Sequence, residues 1–310
     1  LERTEVSRDV QPNTIYNEDC VSYLSKLDDQ SVDLFIVDPP YYKVVNDKWD
    51  HQWFTFEEYV EWCENWISEM GRVSKWSGSV WLFGFPHQLM HMLPLMNAAG
   101  FTFKQQIIIN KGMQSVAGRT SSKLKMFPTA TESAFFFYKD ARDHVRDLLQ
   151  AGREKLNWKG KDVNAYLGKA TSGGGTFACI ASHKKPKEHR VLPTREDWTK
   201  LSEIMDLPEY DDTVYKFNIT SGLTDVWDDI NFYDRSVKKF HSTQKPLKLI
   251  ERLINTSSNE GDLVCDPFMG SGSTAISCMN TDRVFTGCEI DEKYFGLINE
   301  RIQTHNPLGV

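Results

Sequence analysis

The 310-residue sequence contains no run of about 18 apolar residues, so nothing in it reads as a membrane-spanning helix. The opening Leu1-Glu-Arg-Thr lacks both the apolar centre of a secretory leader and a starting methionine, and a processed start and a cytoplasmic location are expected. There is no Cys-x-x-Cys pair. The six cysteines, at 20, 63, 179, 265, 278 and 288, are scattered, which argues for reduced, buried thiols rather than disulfides or zinc. His87 and His91 are four apart, but Gln88 stands where an HExxH zinc site needs Glu, so no metal is expected. The run Thr171-Ser-Gly-Gly-Gly-Thr176 lacks the Lys-Ser/Thr of a phosphate-binding P-loop and reads as a hinge or linker. No internal repeat is present.

What is present is an ordinary globular balance, 40% hydrophobic and 25% charged, with enough chain for one large core or two smaller ones. A net charge of −7 argues against a polyanionic partner until its distribution is read. Between Lys104 and Ala130 there are five Lys/Arg and no acid, and between Lys139 and Lys200 fourteen Lys/Arg stand against eight Asp/Glu. A basic middle between acidic ends fits a phosphate-facing surface, and also a solvated face of mixed charge.

Thr14 to Asp19 reads as a short strand ending in an acid, followed by Val21, Leu24 and Leu27 at helical spacing. Asp19 is equally suited to capping that helix and to facing a crevice. Leu34 to Val37 is an apolar strand running into Asp38-Pro39-Pro40-Tyr41. Two prolines donate no ladder hydrogen bond, so the strand must stop there, leaving a carboxylate, a carbonyl and a ring on a rigid edge. Such a group suits a flat ligand bearing an amine. The polar segment 43–53, with Trp49, reads as a flap, with Tyr42 and Trp49 as secondary stacking rings. Thr55-Phe-Glu-Glu58 reads as a capping box opening an amphipathic helix. Strands follow near 79–83, 101–109 and 133–138, then a stretch of weak periodicity from 139 to 225. Regularity returns with a helix after Pro246, a strand at Leu263–Asp266 and another ending at Glu289.

Gly270-Ser-Gly272-Ser-Thr-Ala275 fits the G-x-G-x-x-A turn between strand and helix, and Glu289 lies 19 residues on, near the ~20 expected of a ribose-binding acid. Taken alone this turn fits a dinucleotide, because a bare helix N-terminus holds a phosphate. It holds a carboxylate equally well.

Asn17-Glu-Asp19, Asp38-Pro-Pro-Tyr41, His241-Ser-Thr-Gln-Lys-Pro246, Asp266-Pro-Phe-Met-Gly-Ser-Gly-Ser-Thr274 and Glu289, in that order, resemble the β-class amino DNA methyltransferases, which use S-adenosylmethionine. The resemblance covers about residues 14–138 and 223–302; Ser242 stands where that family commonly has Pro. It implies an α/β, Rossmann-like sheet, circularly permuted so that the catalytic motif precedes the cofactor turn. The expected domains are a catalytic half at 14–138, a loop-rich inserted DNA target-recognition region at 139–225 and a cofactor-binding half at 226–310.

The resemblance implies that Asp38 and the Pro39 carbonyl accept the hydrogens of the target amine, with Pro40 holding the edge rigid and Tyr41 stacking on a base flipped out of the duplex. It assigns the cofactor to Asp19, Cys20, Asp38, Thr243, Gln244, Lys245, Asp266, Phe268, Gly270, Ser271, Gly272, Ser273, Thr274 and Glu289. In this reading Lys245 pairs with the cofactor carboxylate or is an ordinary helix-flanking lysine. Double-stranded DNA is the implied partner, through Lys111, Arg119, Lys123, Lys125, Lys184 and Lys185; a second copy of the chain and a cognate restriction endonuclease are further partners it admits. The Asp-Pro-Pro-Tyr wording favours adenine N6 over cytosine N4. An NAD-dependent oxidoreductase and an inactive DNA-binding module are the competing readings.

Overall fold

The computed structural model describes residues 10–44, 50–116, 125–171, 175–234 and 244–305. The chain divides into two compact units, one made of residues 75–77 and 139–215 and the other of the remainder.

The larger unit is built on eight strands: β1 (Thr14–Tyr16), β2 (Val32–Val37), β3 (Ser74–Gly84), β4 (Phe101–Asn110), β5 (Thr131–Lys139), β6 (Val226–Trp227), β7 (Leu263–Asp266) and β8 (Val284–Cys288). Their order across the sheet is β1-β8-β7-β2-β3-β5-β4-β6. The pairs from β1 through β3 are parallel and β5 runs antiparallel to β3. Every residue of β2 is buried, as a central parallel strand covered on both faces requires. Phe35 and Val37 join the core formed with α1 (Cys20–Ser25), α2 (Phe56–Val73) and α3 (Pro86–Ala98). Trp81 of β3 donates its indole N–H to Ser257 at the end of α9 (Leu247–Ser257), 2.8 Å away. Helices α10 (Ser273–Asn280) and α11 (Glu292–Thr304) complete this unit.

Local sequence accounts for the element ends. The expected capping box forms at α2, where Thr55 accepts from the Glu58 N–H and Glu58 reaches back to the Thr55 N–H. Asp19 caps α1 by accepting from the N–H groups of Val21 and Ser22. The chain-permuted order follows from the register: Leu34 and Phe35 of β2 lie against Val264 and Cys265 of β7, about 230 residues later.

The smaller unit is more regular than its sequence pattern suggests. Residues 139–215 form α4 (Arg142–Lys155), α5 (Gly160–Tyr166), α6 (Gly175–Ala181), α7 (Arg195–Ser202) and α8 (Tyr210–Thr213), joined by irregular segments. Apart from the 14-residue α4 its helices are too short for a clear period, yet Val145, Leu149, Val163, Phe177, Ile180, Trp198 and Leu201 close a core of their own. Among the described residues no helix is long and apolar enough to cross a membrane.

Candidate active site

In an open parallel sheet, ligands lie beyond the strand carboxyl ends where successive connections leave in opposite directions. Here β2 leads to β3 on one side, and β7 leads to β8 on the other. The crevice between them is lined by Asp19, Cys20, Asp38 to Tyr41, Gln244, Lys245, Asp266 to Ser271, Ser273, Thr274, Glu289 and Asp291, among others. The two sequence motifs farthest apart in the chain therefore face one cleft.

Asp38 follows β2 directly and both its carboxylate oxygens are engaged. Oδ2 lies 2.5 Å from the Lys245 ammonium, and Oδ1 accepts from the Tyr41 hydroxyl. The same ammonium is 2.7 Å from Glu132 Oε1, and the other Glu132 oxygen is 3.3 Å from Lys111 Nζ. Burial of Lys245 works against its charge, but Asp38 and Glu132 outweigh it and its pKa is raised. Burial likewise pushes Glu132 up, and Lys245 and Lys111 overcome this to hold it below the usual carboxylate range. The Tyr41 hydroxyl is pushed well above its ordinary value, first by burial and then by Asp38 and Glu132. The edge is held from behind: Tyr59 donates to the Pro40 carbonyl and Gln88 to the Tyr41 carbonyl, each at 2.8 Å. The Tyr41 ring packs edge-on against Phe85, centroids 5.3 Å apart.

Across the cleft, Gly270 and Gly272 adopt φ of 54° and 75°, the left-handed region that suits glycine. A Cβ on Gly272 would also meet Ile298 Cγ2 at 2.8 Å. Gly272 caps α10 without a side chain, so the helix N-terminus stays bare. Glu289 fixes the turn, accepting from the Gly270 N–H at 2.8 Å and from the Asp291 N–H at 2.9 Å. Asp266 accepts from the Thr274 hydroxyl at 2.5 Å and from the Phe268 N–H at 2.9 Å. Its pKa is pushed up to about 7, chiefly by burial, with Asp38 and Glu289 adding to it against those two hydrogen bonds. Burial also raises Glu289. Phe268 packs against Trp62 and Trp66, and the Trp62 ring, whose spacing reads as core, lines the cleft as well.

The lining has six carboxylates (Glu18, Asp19, Asp38, Asp266, Glu289, Asp291) and one lysine, which is already ion-paired. Such a field disfavours a dinucleotide diphosphate and suits a ligand that carries positive charge. Lys245 is the clearest departure from expectation, because its ammonium is directed at Asp38 and Glu132 rather than standing free for a cofactor carboxylate. Glu132 was not foreseen. It is the first acid after an acid-free stretch from Phe101 to Thr131, a signal the sequence does contain.

Asp19, Cys20, Gln244, Phe268, Ser271, Ser273 and Thr274 line the cleft, whereas Thr243 and Trp49 lie outside the described residues. Tyr42 packs on Phe56 and Tyr59. Of the basic residues, Lys111 is tied to Glu132, Lys125 and Lys184 are exposed, and Lys185 is half-buried beside Cys179. Arg119 and Lys123 lie outside the described residues. No group of three or more His, Cys, Asp or Glu among the described residues is arranged to hold a metal.

The chain is similar to known DNA methyltransferases. The type II methyltransferase M.HinfI of Haemophilus influenzae is 24% identical over 95% of this chain and 69% of its own length. M1.MboII of Moraxella bovis is 26% identical over 93% of this chain and 95% of its own. The M1.HpyAVI–SAM complex superposes with a TM-score of 0.55 at 19% identity, covering 93% of this chain and 98% of that one. The cytosine-N4-specific PvuII DNA methyltransferase superposes at 0.57 with 13% identity, covering 97% and 92%. These structures share the Rossmann-like sheet. The sequence profile of the N6/N4 methyltransferases, described as DNA methylase, matches residues 32–300, nearly the whole folded sheet and the inserted helices. The chain therefore belongs to the N6/N4 DNA methylase family.

Proposed function

We propose that this DNA methyltransferase modifies the N6 amino group of adenine at a specific site in double-stranded DNA, with the target base swung out of the helix. The observation that carries the reading is the single cleft shared by Asp38-Pro39-Pro40-Tyr41 and the Gly270–Thr274 turn.

S-adenosylmethionine is the cofactor and supplies a methyl group on a cationic sulfonium. The residues present fit it: a bare helix N-terminus for its carboxylate, and a carboxylate-rich lining for its positive charge. In this reading Glu289 receives ribose hydroxyls beside the two N–H groups it already holds, and Asp19, Cys20 and Phe268 border the adenine.

An exocyclic amine is a poor nucleophile because its lone pair is delocalised into the ring. Asp38 accepts one amino hydrogen and the Pro39 carbonyl the other, which favours a pyramidal nitrogen with its lone pair turned toward the methyl group. This is positioning and electrostatic stabilisation. Asp38 need not be a strong base, since the methylated amine is a cation that sheds its proton readily. Extrusion of the base costs a few kcal/mol and is offset by stacking. Tyr41 supplies the ring, exchanging its contacts with Asp38 and Phe85 for the base.

The 139–225 segment, lying between the two halves of the sheet in sequence, is proposed to read the DNA target, with Lys184 and Lys185 on phosphates. The type II relatives support a place beside a restriction endonuclease. Adenine is favoured over cytosine by the Asp-Pro-Pro-Tyr wording; the fold itself is shared with a cytosine-N4 enzyme. The test is transfer of labelled methyl from the cofactor to DNA followed by nucleoside digestion. N6-methyladenine is expected; N4-methylcytosine would overturn the base assignment, and the absence of label in DNA would overturn the reading.

A further inference from the structure

The antiparallel strand β5 delivers its first residues to the same sheet edge at which the parallel strands end. Gly84 pairs with Ser133, so Glu132 comes level with the carboxyl end of β3, one strand beyond β2 and Asp38. Its carboxylate does not line the cleft. It reaches Lys245 Nζ at 2.7 Å, and that ammonium reaches Asp38 at 2.5 Å.

We propose that Glu132 is a positioning residue for methyl transfer, acting on Asp38 through the Lys245 ammonium that the two carboxylates share. The inference rests on the methyltransferase reading above.

Three observations carry it. Lys245 is only 7% exposed, its ammonium also lying 5.0 Å from the Phe83 ring centre and 5.8 Å from that of Tyr41, so its position is determined by the two carboxylates and two rings. A buried ion cluster of this kind gains a fold little over apolar residues of similar volume, so its place at the reacting edge points to function. The charge count gives that function. A lysine paired with Asp38 alone would neutralise the carboxylate that must accept the amine hydrogen and face a nitrogen becoming cationic. Sharing the ammonium with Glu132 leaves Asp38 fixed in direction and still strongly accepting. Lys111, 3.3 Å from the far oxygen of Glu132, steadies the second carboxylate in turn.

The test is Glu132→Gln, which keeps the shape and the acceptor oxygen but removes the charge. Single-turnover methyl transfer to DNA is expected to fall on the order of 10- to 100-fold, while affinity for S-adenosylhomocysteine, measured by calorimetry, stays at the wild-type value. Glu132→Asp, which keeps the charge on a shorter arm, is expected to lose less. An unchanged rate in E132Q, or a loss of rate matched by an equal loss of cofactor affinity, would overturn the assignment. If E132Q does not fold, E132D is judged by the same two measurements: a rate between zero loss and that of Asp38→Ala with full cofactor affinity supports the role, and a wild-type rate overturns it. A wild-type chain that transfers no methyl to DNA overturns the functional reading itself.

Discussion

The ammonium of Lys245 lies 2.5 Å from a carboxylate oxygen of Asp38, a residue 207 positions earlier in the chain. This contact ties the Asp38–Tyr41 edge to the segment that leads into α9. It also orients each group: the Asp38 carboxylate is aimed by the ammonium, and the ammonium is directed at Asp38 and Glu132.

Replacing Asp38 by Ala should therefore reduce methyl transfer by about 100-fold or more, the scale of losing an acceptor aimed at developing charge. S-adenosylhomocysteine should still bind, because the Gly270–Thr274 turn is untouched. Single-turnover transfer and calorimetry on the same preparation check both halves; full activity in D38A would refute the mechanism.

Asp266 makes stability depend on pH. Its folded pKa, about 7, lies above the unfolded value of 3.8, so the folded state holds the proton more tightly. The contribution of Asp266 to stability is then full below about pH 4 and is lost as pH rises through about 7, by on the order of 4 kcal/mol. Urea unfolding of the cofactor-free protein at pH 5 and pH 8 should show a smaller difference in Asp266→Asn than in the wild type. Equal differences would remove Asp266 from the account.

The two glycines of the turn should respond differently to alanine. Gly270→Ala meets only an ordinary contact with the Phe268 carbonyl oxygen at 3.7 Å and bears the left-handed backbone, a cost of roughly 1–2 kcal/mol. Gly272→Ala adds a Cβ 2.8 Å from Ile298 Cγ2 and should cost more, lowering both the melting temperature and cofactor affinity. Calorimetric melting of both variants gives the order, and a more damaging G270A would contradict it.

Charge reversal at the exposed Lys125 or Lys184 should weaken DNA binding and lower the slope of log affinity against log salt by about 1 per lost phosphate contact. Binding isotherms over a salt series read this directly. An unchanged slope places the residue off the DNA path.

Much of this was legible in the sequence. Strand ends, the capping box at Thr55, the break at Pro39-Pro40 and the Gly270–Gly272 turn are local consequences of periodicity, missing N–H groups and allowed φ. The resemblance of the ordered motifs to the amino DNA methyltransferases implied that the Asp38 and Gly270–Thr274 segments share a crevice, and the neighbouring strands β2 and β7 bring them to one. The helical core of residues 139–215 was less visible, because helices as short as α8 leave no period to read.

Which charges meet was decided by the tertiary structure alone. Lys245 reads from its neighbours as a helix-flanking lysine, and Glu132 as an acid before a strand. Only the strand order β2-β3-β5, with β5 reversed, brings Glu132 to the edge where Asp38 leaves the sheet and encloses Lys245 between them. Local sequence determines where a strand stops because sterics act over a few residues. Partnership between buried charges is set by which strands become neighbours, and that depends on the whole chain.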